Sequence, residues 1–150
     1  MRSRPFYAGA MISRPLALRL REAGLKWDPQ AGDRFQLLGQ DMESTGTEAF
    51  TVSDMTIEAH AYPTGTVLGF NGTTEWALDS VALEDALWFP REDQLRAALR
   101  HTFRRLERDD DADGWRVVVN FRGDAMAHLA DTVEDAYALA VLAEVEAAAA

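Results

Sequence analysis

The chain alternates between two hydrophobic rhythms, and the changes of rhythm mark its elements. Leu16, Leu18, Leu20 and Ala23 follow Ser13-Arg14-Pro15, a capping serine with proline in the first turn, and Gly24 supplies a left-handed stop. This predicts a helix between Ser13 and Gly24. The turn formers of Trp27-Asp28-Pro29-Gln30-Ala31-Gly32-Asp33 lead into a short strand, Arg34-Phe35-Gln36-Leu37-Leu38. Residues 39–48 read as a loop. Strands are predicted within 50–60 and 66–70, and Asn71-Gly72, the strongest hairpin dipeptide of the chain, leads to another over 73–78. Residues 34–78 are therefore expected to form an antiparallel meander.

From Pro90 to Arg108 the spacing changes to that of a helix. Leu95, Leu99, Phe103 and Leu106, helped by Ala98, make an apolar stripe, and Arg96, Arg100, Arg104 and Arg108 stand four apart on one side. A strand is expected over 115–121. Asp131 or Thr132 then caps a last helix, with Asp135 placed as a capping acid and Val133, Ala136, Tyr137, Ala140 and Val141 on one face. Strands that cluster instead of alternating with helices indicate an α+β fold. The expected order is an N-terminal helix, an antiparallel β meander, then helix-strand-helix packed on one face of the sheet. Residues 1–12 are expected to be a loose leader, with Met11 an alternative start, and 13–146 a single domain.

Composition narrows the function. The chain has 150 residues and no cysteine, which removes disulfides, thiolate metal sites and cysteine nucleophiles and favours a cytoplasmic setting. Net charge is −10 and uneven: residues 1–26 carry six basic side chains against one acid. The acidic remainder disfavours nucleic acid as a partner. No apolar run is long enough for a membrane span, so no membrane partner is expected.

Asp109, Asp111 and Asp113 with Gly114 match the first half of a calcium loop, in which alternate carboxylates converge on a hard cation. The second half fails, because Arg116 stands where an apolar residue is usual and Asn120 where a bidentate glutamate is needed. A solvated turn is the preferred reading of this cluster, and calcium is the secondary one. The arginine ladder of Arg96, Arg100, Arg104 and Arg108 is a candidate docking surface for an acidic partner or a second copy; otherwise it is a solvated face complementing the helix dipole. His60, His101 and His128 are too far apart for a metal set by spacing. No phosphate-loop or dinucleotide glycine pattern occurs, and no cofactor is predicted. Trp27, Trp76, Trp88 and Trp115 sit beside turns or element ends, as core-edge indoles do.

Several segments carry a resemblance to known sequences. These are Gly24-Leu25-Lys26-Trp27-Asp28-Pro29 with Gly32-Asp33-Arg34-Phe35, the stretch from Val67 to Val81, Ala86 to Leu95, and Thr132 to Ala140. Together they resemble a family of small bacterial proteins of uncharacterised activity, some of them labelled pilus-assembly proteins. The last two segments are also similar to small proteins of phages and mobile elements. The pilus label implies a partition-type ATPase, which needs a phosphate-binding glycine loop and lysine. The single lysine here, Lys26, lies in Gly24-Leu25-Lys26-Trp27, so that activity is rejected.

The sequence is thus read as a non-enzymatic protein-interaction module that self-associates, as a homodimer, or takes a protein partner. The alternative is a small-molecule- or metal-dependent enzyme with a pocket beside the meander formed by Glu75, Trp76 and Asp79.

Overall fold

The computed structural model describes residues 11–38, 49–52, 57–62, 65–70 and 80–149. Its elements, in chain order, are α1 (Arg14–Ala23), β1 (Arg34–Leu37), β2 (Phe50–Thr51), β3 (Ile57–Tyr62), β4 (Gly65–Phe70), β5 (Ser80–Ala82) and β6 (Ala86–Phe89). Then follow α2 (Glu92–Leu99), β7 (Phe103–Asp109), β8 (Gly114–Phe121), β9 (Asp124–Ala130) and α3 (Val133–Ala149). Short 3-10 turns at Leu83–Asp85 and Arg100–Thr102 precede β6 and β7. The fold is α+β, with the N-terminal helix first. Among the described residues all the strand pairings are antiparallel, in three sheets of order β2-β1-β6, β3-β4-β5 and β7-β8-β9.

The expected meander is real in part, but it is divided. β1 pairs with both β2 and β6, whereas β3 and β4 form a hairpin that continues to β5. The predicted Asn71-Gly72 turn and the strand over 73–78 lie outside the described residues. So do residues 1–10 of the expected leader; Ile12, at its end, is 2% exposed and belongs to the main core, with Met11 packed against it.

Helix ends follow local chemistry. Ser13 occupies the N-cap of α1, Pro15 stands in its first turn, and Gly24, at φ 104°, closes the helix by donating to the Arg21 carbonyl. At the start of α3 the Thr132 hydroxyl accepts from the Asp135 N–H at 3.1 Å. The Asp135 carboxylate reaches elsewhere: it accepts from the Ser13 N–H at 2.8 Å and ties the starts of the two helices together.

The core is organised around α3. Ala136, Tyr137, Ala138, Ala140, Val141 and Leu142 are all buried, on more than one side of the helix. A helix apolar all round must be covered all round. Leu16, Ala17 and Leu20 of α1 join the cover, as do Leu95 and Leu99 of α2, and Val117 and Val119 of β8. A smaller cluster of Phe35, Val52 and Ala86 lies within the β2-β1-β6 sheet, flanked by Trp27 and Phe50.

The helix expected from Pro90 to Arg108 is corrected here. It ends at Leu99, and residues 103–109 form a strand. The reason is a β-bulge: Phe103 pairs with Val119 and Arg105 with Val118, which leaves Arg104 as an extra residue. The bulge turns Phe103 and Leu106 to the same face, against the core, so a strand carries apolar residues three apart as a helix would. Ala98, expected in the stripe, is exposed. β6, just before that helix, is a strand pairing with β1, and neither it nor β9 is expected from the sequence pattern.

Gly114 opens β8 at a close approach to β9. A Cβ there would meet the Ala130 carbonyl oxygen at 2.6 Å. The backbone on both sides belongs to a sheet and cannot yield cheaply. Gly114→Ala is therefore expected to lose about 1–3 kcal/mol of stability in chemical denaturation, whereas Gly123→Ala, which meets nothing within 4 Å, is expected to lose less despite its φ of 87°.

Candidate functional site

Three regions concentrate charge or exposed apolar surface, and each is set by its strands. The first centres on Asp33, at the start of β1 and 1% exposed. Its Oδ2 accepts from the Trp27 indole N–H at 2.9 Å and the Gln30 N–H at 3.0 Å. Its Oδ1 accepts from Arg91 at 3.0 Å and the Gln94 amide at 2.7 Å. Arg91, preceding α2, also donates to the Gly32 carbonyl and to Asp93, and these carboxylates hold its guanidinium pKa up against burial, which pulls the other way. Trp27 stacks on Trp88 with ring centres 6.0 Å apart and tilts against Phe35 at 5.6 Å. The sequence reading took Asp33 only as a turn former.

Beside this node Arg34, Arg91, Glu92, Asp93, Arg96 and Glu134 line an open cleft of about 330 Å³. Three guanidiniums face three carboxylates, so the cleft has no dominant sign. Burial, with Glu92 nearby, raises the pKa of the Tyr137 hydroxyl, against the opposing pull of Arg96.

The second region is the β7–β8 hairpin. Register puts Arg105, Glu107 and Asp109 on the face that Arg116 and Val118 share, away from α3. Arg116 donates to Glu107 at 2.9 Å and to Asp109, and Arg105 donates to Glu107 at 3.0 Å. The Arg116 hydrogen bond, followed by that of Arg105, holds the Glu107 carboxyl below its usual range. The Asp109 carboxyl is lowered first by the Ala112 N–H, then by Arg116 and the Asp111 N–H. Asp109 Oδ1 accepts the Asp111 N–H at 3.0 Å and the Ala112 N–H at 3.1 Å.

The predicted calcium residues therefore have other partners or point outward. Asp109 is committed to Arg116 and the turn, Asp113 pairs with Arg108 at 2.5 Å, and Asp111 is exposed. Among the described residues no group of three His, Asp or Glu is arranged to hold a metal. Gly114, the sixth residue of that pattern, answers to its contact with Ala130.

Nor do the four arginines form a ladder. Arg96 lies on α2 at the cleft, and Arg100 follows the helix with φ 57°. Arg104, in the bulge, donates to the His101 and Phe103 carbonyls, and Arg108 lies over the Trp115 ring at 5.3 Å. Glu75, Trp76 and Asp79 lie outside the described residues.

The third region is β9, which sequence patterning missed because its Asp-Ala-Met-Ala-His-Leu-Ala has no β-branched residue. The turn before it has both central residues at positive φ, Arg122 at 54° and Gly123 at 87°, as a two-residue hairpin requires. β9 pairs with β8 along its whole length, and among the described residues no strand pairs with its other side. Met126 and Leu129 are exposed large hydrophobic side chains, 41% and 44% accessible. His128, opposite Val117, has its Nε2 buried with no hydrogen-bond partner among the described residues.

The chain matches no family model, and no curated protein or solved structure is significantly similar to it.

Two outcomes follow from these environments. All four partners of Asp33 are donors, so an amide in either orientation turns its NH2 toward two of them. Asp33→Asn is thus expected to destabilise nearly as much as Asp33→Ala, about 3–5 kcal/mol by urea denaturation. For His128, burial pushes the imidazole pKa below its ordinary 6.5. The unfolded chain then binds the proton more readily than the folded one, so stability falls as pH drops below about 6.5. His128→Gln is expected to flatten that slope between about pH 6.5 and 5, above the range where carboxylates titrate.

Proposed function

We propose that this protein is a non-enzymatic interaction module that engages another polypeptide along the free side of β9. The carrying observation is the contrast between the two edges of one sheet. β7 presents Arg104, Arg105, Glu107 and Arg108, the charged guard that keeps an edge from pairing. β9 has no charged residue between Asp124 and Asp131 and exposes Met126 and Leu129. An unguarded edge offers backbone donors and acceptors for strand addition, with side chains on both faces to select the partner.

The remaining charged groups support the same reading. Asp33, Glu107 and Asp109 are each engaged by a guanidinium and by further N–H or side-chain donors, arrangements that fix turns and strand register. The 330 Å³ cleft balances its charges and opens to solvent. Among the described residues no helix is long and apolar enough to cross a membrane.

The test is photocrosslinking in producing cells. A diazirine-bearing residue at position 126 or 129 is expected to form an adduct with a second polypeptide chain, and one at exposed Ala98 is expected to form none. Equal yields at all three positions would refute an interaction edge at β9.

A further inference from the structure

The geometry points to a second copy of this chain as the occupant of that edge, added antiparallel about a two-fold axis through Ala127. This rests on reading β9 as an interaction edge, and it names the partner and the register.

The register follows from the hairpin. Phe121 and Asp124 close a two-residue turn, so they form a hydrogen-bonded pair, and the pattern repeats every second residue along β9. Asp124, Met126, His128 and Ala130 therefore direct their backbone groups to β8. Ala125, Ala127 and Leu129 direct theirs to the free side. A symmetric partner must bond through the same three residues. Centring the axis on Ala127 is the register that uses all three: Ala127 meets Ala127 of the second copy, and Ala125 meets Leu129 twice. That makes about six interchain bonds. Shifting the axis to Met126 or His128 leaves one of the three without an outward-facing mate.

Side chains suit this register. On the face away from α3, the smallest residues stand against the largest: Ala125 faces Leu129 of the second copy, with Ala127 at the axis where two bulky groups would collide. On the other face Met126 stands opposite His128 of the second copy. The result is a continuous sheet of two three-stranded halves, with both copies of α3 on one side.

Charge selects a like partner over a basic one. A chain of net charge −10 has acids in abundance, yet places none from Ala125 to Ala130. An edge built for a basic strand would display carboxylates; an edge that must meet its own copy cannot. The ends are complementary as well. The Arg122-Gly123 turn of one copy comes to Asp131-Thr132 of the other, so Arg122, whose guanidinium lies over its own Phe121 ring at 4.8 Å, comes beside Asp131 of the second copy.

Sedimentation velocity of the full chain from about 1 to about 500 µM tests this directly. A species of twice 16.6 kDa is expected to grow with concentration. Ala127→Pro removes an N–H that β8 does not use, and an edge strand tolerates it. It takes the donor from two of about six bonds, so association is expected to weaken by at least about tenfold. Ala127→Lys, at an exposed position, sets two like charges face to face at the axis and is expected to do the same. Unchanged near-ultraviolet circular dichroism shows that each variant folds. A monomer at every concentration overturns the proposal, as does a dimer that both variants leave intact. A monomer whose position 126 and 129 probes still label a different polypeptide overturns self-pairing alone and leaves the broader reading standing.

Discussion

Covering α3 on several sides at once is the constraint from which the rest of the packing follows. A helix that buries Ala136, Tyr137, Ala138, Ala140, Val141 and Leu142 needs neighbours on more than one flank. α1 and α2 supply two of them, and β8 with β9 the floor. Small residues at 136, 138 and 140 let these neighbours come close, while Tyr137 reaches the Phe103 ring at 5.7 Å. The Asp135 carboxylate on the Ser13 N–H fixes where α1 starts against α3. Because α3 lies over one face of the β7-β8-β9 sheet, the other face and the outer edge are what that sheet has left to present.

Asp33 does for the smaller sheet what α3 does for the core. A buried carboxylate is stable only when its lone pairs are met. Here Trp27, Gln30, Arg91 and Gln94 meet them, from the loop before β1 and from the start of α2. One side chain thereby fixes the Trp27 loop, the first residue of β1 and the entrance to α2 relative to each other. The backbone of the same residue accepts from Val52, which brings in β2.

What was legible in the sequence is what local chemistry decides. Gly24 and Thr132 set helix ends through groups a few residues away, and a reader of the chain finds them. Where the outcome depends on distant strands, the pattern misleads. Phe103 and Leu106 look helical because a bulge, settled by pairing with β8, gives a strand the spacing of a helix. The arginines at 96, 100, 104 and 108 share a spacing and end on three different elements. Gly114 completes part of an ion-binding pattern, yet its contact with Ala130 accounts for it. β9 is faint for a related reason. Alanines that carry no strand preference become meaningful only once β8 lies beside them, and the absence of charge becomes informative only by comparison with β7.

The functional account comes down to whether the outer side of β9 is open in one chain and closed by association. Residue-resolved amide hydrogen exchange, run across a range of concentrations, reads this directly. At low concentration the N–H groups of Met126, His128 and Ala130 should be slow and those of Ala125, Ala127 and Leu129 fast, and the fast three should slow together as concentration rises. Protection of both sets that does not change with dilution would mean that the edge is already paired within the chain, and would contradict the account.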